Sequence, residues 1–323
     1  MRAWQVQGKG EPLEVLKEVQ LDPPVPGPGQ MRIAVTAAGL GLPDVLMCRG
    51  VYPLTPPLPF VSGQEAAGVV TAVGDGVDVP IGAHIMATTV FYEGHGSFAE
   101  ECLVVADSSF EVPVGLSDAE AAGFWIPHMT GWIGLVDRGQ LKAEESLVVL
   151  GAAGGSGIAA VQLGKALGAR VIAVVSDEKK AEFCRGLGAD VTINYNDAGF
   201  VEALREAAGG GVDVIYDPVG GDVAEAAATA LARGGRLLAI GFASGRWPVI
   251  DAHALVWLNA AVVGVLAGGS REYLLEVHAS LSALIADGRL RNVVGPSISF
   301  DELPNALQRI ADREVIGKLV LVS

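Results

Sequence analysis

The densest cluster of residues suited to chemistry is the run SLVVLGAAGGSGI at positions 146–158. Five mostly apolar residues give way to a glycine turn, and an apolar helix pattern follows. The spacing is A-x-G-x-x-G, carried by Ala152, Gly154 and Gly157, with alanine where the commoner form has its first glycine. Gly154 and Gly155 let the main chain come close to a bulky anion, and Gly157 lets the helix lie tightly on the strand. The helix N-terminus adds free N–H groups and a partial positive charge. A pyrophosphate suits such a cradle, so the run predicts dinucleotide binding by Ala153, Gly154, Gly155, Ser156 and Gly157. The rival reading is a tight strand-to-helix turn with no ligand. A strand before the turn and a helix after it favour binding.

About twenty residues further on, the second apolar strand ends at Val175-Ser176-Asp177, followed by Lys179 and Lys180. An acid there usually holds the ribose hydroxyls of NAD, whereas NADP needs hydroxyls and cations for its 2′-phosphate. Asp177 argues for the first. Ser176, Lys180 and the later Tyr195 argue for the second. A solvated helix face explains the lysines equally well. Cys48, Cys102 and Cys184 form neither a CxxC pair nor a zinc knuckle, and Cys48 and Cys102 read as small buried hydrophobes. The five histidines show no HxxxH or HExxH spacing. His95, in the segment EGHG, has no partner acid by spacing.

Composition narrows the classes. The 323 residues are 50% apolar and 18% charged, which supplies sizeable cores and excludes disorder. The formal net charge of −15 opposes binding to nucleic-acid phosphates or anionic membranes. No apolar run is long enough to span a bilayer, and the N-terminus lacks the pattern of a signal peptide. A cytoplasmic protein is expected.

The elements that must position these residues form two patterns. Residues 1–120 alternate short β-branched segments (Met31–Ala37, Gly68–Val73, His84–Thr89) with Pro and Gly clusters, which predicts a small barrel or sandwich. Ala119–Asp137 reads as helices broken at Pro127. Strands then alternate with helices: Ser146–Leu150, Arg170–Val175, Val191–Asn194, Val212–Asp217, Arg236–Gly241 and Ala261–Leu266 as strands, with helices at Ile158–Leu167, Asp177–Leu187, Ala198–Ala208 and Val223–Leu231. Fully apolar strands separated by helices predict a parallel sheet covered on both faces. Arg271–Asp287 reads as a long amphipathic helix. Val293–Ser323 mixes strand and helix, and Lys318–Val322 is a strand able to return to the first domain.

In this frame the chain resembles the quinone oxidoreductase (zeta-crystallin-like) branch of the medium-chain dehydrogenase/reductase superfamily, the zinc-free relatives of alcohol dehydrogenase. The resemblance rests on PGPGQMRIAV (26–35), AAGLGLPDVLMCRGVYP (37–53), PPLPFVSGQEAAGVVTAVG (56–74), GSFAEECLV (96–104), MTGWIGL (129–135), GAAGGSGIAAVQLGKALGA (151–169), DVIYDPVGGDV (213–223), RLLAIGFASG (236–245) and IGKLVLV (316–322). It implies an α/β protein with a GroES-like β-barrel domain (1–124 and 291–323, holding substrate) and a Rossmann doubly wound parallel-sheet domain (125–290, holding dinucleotide). It also implies a cleft between them and a homodimer joined through Ala261–Leu266.

The resemblance extends the list of site residues. Lys180 and Tyr195 fall where NADPH-using members surround the 2′-phosphate, while Asp177 falls where many carry a second hydroxyl and Ser176 partly substitutes for it. A phosphate needs a cation partner and Lys180 is placed to be one, so NADPH is the expected cofactor, NADH remaining possible. Thr130 is expected on the nicotinamide side. Gly241, Phe242, Ala243, Val265 and Leu266 are expected to flank the dinucleotide, with Lys318 reaching the cleft. Asp44, Tyr52, Gln64 and Thr130 are the substrate-cleft candidates. Phe91, Tyr92, Phe124, Trp125 and Trp132 either line the pocket or pack the core, and packing is the commoner fate.

Zinc-dependent relatives take ligands from a Cys in the first barrel loop, a His in a GHE motif and a later Cys or Asp. Here the loop reads GLGLPD (39–44) and the motif reads Gly63-Gln64-Glu65. A catalytic zinc needs about three protein ligands, so no metal is expected. Without a Lewis acid an alkoxide has nothing to stabilise it, and reduction of a quinone or enone is the easier reaction. The chain is then expected to be a zinc-independent, NADPH-dependent reductase acting on a small-molecule acceptor by orientation, with no obligatory acid–base residue. Two other readings remain: an enoyl-thioester (acryloyl-type) reductase, and a non-catalytic dinucleotide-binding relative.

Overall fold

The computed structural model describes residues 1–291 and 294–322. Val293, at which the mixed C-terminal segment is expected to begin, lies outside the described residues, as does Ser323. The strands run in chain order as β1 (Arg2–Val6), β2 (Leu16–Gln20), β3 (Gln30–Gly39), β4 (Phe60–Val61), β5 (Glu65–Val73), β6 (His84–Thr89), β7 (Glu101–Glu111), β8 (Ser146–Leu150), β9 (Arg170–Val175), β10 (Val191–Asn194), β11 (Val212–Asp217), β12 (Leu231–Ala239), β13 (Ala261–Gly264), β14 (Val294–Ile298) and β15 (Lys318–Val322). The chain folds as two compact units: Met1–Ile126 with Gly269–Ser282 and Asn292–Ser323, and Pro127–Gly268 with Ala283–Arg291.

The first unit is built on β3. Its inward residues Met31, Ile33, Val35 and Ala37 alternate with less buried neighbours, the period of a pleated strand with one face on a core. β3 pairs antiparallel with β5, which pairs with β6, which pairs with β7; β7 pairs back onto Gln30–Ala34. This closes the barrel, so that β3 and β7 leave no edge between them. The far end of β3, Ala37–Gly39, receives β15, so the C-terminal strand returns to this unit as the sequence suggests. A small sheet of order β2-β1-β4, absent from the sequence reading, packs Val6, Leu16, Phe60 and Val61 against the same core.

The second unit holds a six-stranded sheet of order β10-β9-β8-β11-β12-β13, parallel at every pairing. Counted within the unit, this is the order 3-2-1-4-5-6 of a Rossmann fold, which reverses direction between its first and fourth strands. β8 is buried at every position, and β9 at all but its first residue, because helices cover both faces.

Two local expectations need correcting. Pro127 does not break a helix; it lies in the first turn of the helix Trp125–Trp132, where its missing N–H costs nothing. The helix then widens into a π-helical turn over Ile133–Arg138. The helix expected at Val223–Leu231 spans Gly221–Ala228, and Leu231 opens β12 by pairing with Val212.

Candidate functional site

The glycine turn follows β8 in the second unit. Gly151 adopts φ +60°, a left-handed conformation that glycine takes at little cost. A Cβ on Gly157 would stand 2.4 Å from Gly151 O and 2.7 Å from Ala152 Cα, so the close helix–strand approach requires glycine there. Gly154 is the N-cap of the helix Gly155–Ala166 and no side chain caps it. Ala153 is buried, while Gly155 and Ser156 are partly open. The Ser156 hydroxyl lies 2.8 Å from the hydroxyl of Tyr216, at the end of β11.

The end of β9 carries a second polar group. Lys180 Nζ donates to Ser176 Oγ at 2.8 Å and stands 3.4 Å from Asp177. Ser176 Oγ donates to Asp177 Oδ2 at 2.8 Å, and Asp177 Oδ1 accepts the Lys180 N–H at 3.0 Å. Asp177 is thus the N-cap of the helix Glu178–Gly186, a position that favours Asp for its own sake. The Lys180 N–H, then the Ser176 hydroxyl, hold its carboxyl below the usual range. Tyr195 is half-buried against the core of this sheet, and the Asn196 side chain donates to Ser176 O.

The loop after β12 is laced to the turn after β11. Gly241 N–H donates to Asp217 O, Ala243 N–H to Pro218 O and Ser244 N–H to Val219 O. Asp217 Oδ1 accepts from Val219 and Gly220 at 2.9 and 2.7 Å. Asp217 is fully buried, and burial pushes its carboxyl up to about 6 against those two hydrogen bonds. Phe242 packs on Trp247 with ring centroids 5.0 Å apart. Val265 N–H donates to Ala239 O, and Leu266 is exposed. Thr130 is half-buried on the helix Trp125–Trp132.

Asp44, Tyr52, Gln64 and Lys318 belong to the first unit, and the fold brings them together with Glu65. Asp44 is the third residue of the short helix Leu42–Cys48. Its Oδ2 accepts from Gly41 N–H at 2.9 Å and its Oδ1 from Gly63 N–H at 3.0 Å. Burial dominates and pushes this carboxyl up to about 7, with Lys318 pulling the other way. Burial also raises the Tyr52 phenol, against a hydrogen bond from Gln64. Lys318 Nζ meets Glu65 Oε1 at 2.5 Å, both side chains being almost fully buried. Glu65 Oε2 accepts the Ile126 N–H at 3.1 Å. Gly39 makes room, since a Cβ there would stand 2.7 Å from Glu65 Oε1.

Phe91, Phe124 and Trp125 are core residues, whereas Tyr92 is exposed. Cys48, Cys102 and Cys184 are buried and free; burial raises all three thiols, Cys48 and Cys184 to about 12. Sequence reasoning missed Tyr216, Asp217 and the pairing of Glu65. The segment YDPVGG after an apolar strand was the available signal for the first two.

Comparison with known proteins matches residues 27–114 to the alcohol dehydrogenase GroES-like domain and residues 155–283 to the zinc-binding dehydrogenase domain. A quinone oxidoreductase-like protein 2 homolog of Nematostella vectensis is 33% identical over 91% of this chain and 82% of its own length. Among solved structures, Escherichia coli quinone oxidoreductase complexed with NADPH superposes with a TM-score of 0.90 at 29% identity, over 100% of both chains. A mycobacterial protein complexed with NADPH gives a TM-score of 0.90 at 30% identity, again over 100% of both chains.

Proposed function

The chain belongs to the quinone oxidoreductase-like branch of the medium-chain dehydrogenase/reductase superfamily, and from that premise we propose that it is a zinc-independent NADPH-dependent reductase that delivers hydride to a quinone or another activated carbonyl or enone acceptor. It is an NAD(P)H-dependent oxidoreductase, and NADPH is its cofactor. The chain's own residues fit that cofactor. The uncapped helix start at Gly154–Gly157 offers N–H groups to the pyrophosphate. The Lys180 ammonium, 2.8 Å from the Ser176 hydroxyl, offers a charged donor to a 2′-phosphate, and the Ser176 hydroxyl joins it by turning its proton from Asp177 to the phosphate. Tyr195 borders them. Ala153, Gly155, Gly241, Phe242, Ala243, Val265 and Leu266 flank the dinucleotide, and Thr130 orients the nicotinamide. Residues 125–290 bind the cofactor, with Lys318 reaching it from the other unit, while 1–124 and 291–323 hold the acceptor through Asp44, Tyr52 and Gln64.

Bound NADPH supplies a hydride from its nicotinamide ring. The acceptor takes it at carbon, and the acceptor oxygen gains a proton from water or a neighbouring donor. The pair Lys318–Glu65 is the observation that carries the metal-free reading. Glu65 stands beside the position where zinc relatives have histidine, and both of its oxygens already have donors from this chain. Asp44 is likewise held by two backbone N–H groups. Gln64 is a poor zinc ligand. The donor set does not suit a catalytic zinc.

The edge strand β13 leaves Val262 exposed, and Val256, Trp257 and Leu266 are exposed nearby in sequence. A second copy pairing along β13 would cover such an edge, so a homodimer is proposed; light scattering of wild type and Val262→Lys tests it.

The function is tested on protein stripped of metal by chelation and assayed with NADPH against a quinone, an enone and a crotonyl thioester. Turnover of a quinone or enone, unchanged by added zinc, is expected. A rate that needs zinc overturns the metal-free reading. Preference for the thioester moves the substrate assignment to enoyl-thioester reduction. No NADPH oxidation with any acceptor overturns the reductase reading.

A further inference from the structure

In an open parallel sheet, ligands bind beyond the carboxyl ends of the strands where the strand order reverses. Here that point lies between β8 and β11. β8 runs into the glycine turn, and β11 pairs with it in register Tyr216↔Val149. One side chain joins the two strand ends. The Tyr216 ring is completely buried, and its hydroxyl lies 2.8 Å from Ser156 Oγ in the turn. Space for the ring is kept by Gly134 in the π-helical turn, where a Cβ would stand 3.2 Å from Tyr216 Cε2. Ser156 occupies the second position of the helix whose N-terminus no side chain caps, and it is partly open to solvent.

We propose that Tyr216 is a positioning residue of the dinucleotide site: its hydroxyl donates to Ser156 Oγ and thereby directs the Ser156 hydroxyl proton to a pyrophosphate oxygen at the helix start. A hydroxyl has one proton to give and two lone pairs. When Tyr216 supplies the proton of their shared hydrogen bond, Ser156 keeps its own for the ligand. Burial raises the Tyr216 phenol far above the working pH range, so it always holds a proton to donate. Two hydroxyls in series polarise each other, and the last faces a charged acceptor, where hydrogen bonds are strongest. The inference rests on the reading of this turn as the cofactor site.

The test measures Kd for NADPH and NADH by fluorescence titration, with melting temperatures, on wild type, Tyr216→Phe, Ser156→Ala and the double variant. Each single variant is expected to weaken both cofactors equally, Ser156→Ala by about tenfold and Tyr216→Phe by about threefold to tenfold. The double variant should be no weaker than Ser156→Ala. Lys180→Ala, in contrast, should weaken NADPH alone. Unchanged cofactor affinity in Tyr216→Phe with a lowered melting temperature assigns Tyr216 to packing and overturns the proposal. Additive losses in the double variant overturn it too. Should Tyr216→Phe not fold, unchanged affinity in Ser156→Ala is sufficient to reject it. A wild-type protein that binds neither cofactor refutes the reading of the turn itself, a distinct outcome.

Discussion

Replacing Lys318 by methionine removes the ammonium but keeps a long apolar stem on β15. Glu65 then remains 3% exposed, with one backbone N–H on Oε2 and nothing in place of the 2.5 Å contact on Oε1. Truncating one partner of a buried ion pair costs about 3–5 kcal/mol, because the other charge is left uncompensated. In a unit of this size each kcal/mol moves the melting temperature by about 2–4 °C, so Lys318→Met should melt about 6–20 °C below wild type. The double variant Lys318→Met/Glu65→Gln removes both charges and keeps an oxygen for the Ile126 N–H. It should recover to within about 1–2 kcal/mol of wild type, since a buried pair replaced by neutral groups of similar volume is nearly neutral. Calorimetry of wild type, both single variants and the double variant gives the coupling directly. A Lys318→Met protein melting within a degree of wild type would show that Glu65 does not depend on Lys318, as would a double variant no more stable than the single.

Other outcomes follow from the second unit. Gly157→Ala places a methyl 2.4 Å from the carbonyl oxygen of Gly151; the backbone must shift, and titration should show NADPH affinity falling by at least about tenfold, the equivalent of about 1.4 kcal/mol. Asp217 titrates near 6 in the fold against an ordinary value near 4. A raised acid binds more protons folded than unfolded, so its contribution to stability is complete below about 4 and is lost as pH rises through about 6. Melting curves from pH 4 to 8 should therefore show Asp217→Asn gaining on wild type between those values and running parallel above them. A constant gap would show that the buried carboxyl does not titrate there. Asp44, raised to about 7, is common to both proteins and cancels in the difference.

Much of the parallel sheet was legible because its strands are buried on both faces. β8, β9, β10 and β11 have the bounds expected from the sequence, although β10 is only half-buried and β11 carries Asp213 and Asp217. Boundaries failed where composition carries no stop signal. The alanine-rich run before Leu231 favours helix to its end, and the turn of chain at Thr229 is settled instead by pairing of Leu231 with Val212. The sheet of β1, β2 and β4 was illegible because β4 has two residues and its partners lie far away in sequence. Within the site, the glycine turn was readable from local spacing alone. Tyr216 was not, since an aromatic residue in an apolar strand reads as core and its partner Ser156 lies 60 residues away. Asp177 shows a third limit. Capping a helix and binding a ribose call for the same residue at the same place, and only the hydrogen bond to the Lys180 N–H displays the capping role.

In the function proposed above, the donors beyond β9 select NADPH. The most direct measurement is the Kd of NADPH and of NADH for wild type and Lys180→Ala, titrated at fixed ionic strength. Lys180→Ala is expected to weaken NADPH by about tenfold or more and to leave NADH within about twofold, a change below about 0.5 kcal/mol. Equal losses for both cofactors, or no loss for NADPH, would contradict it.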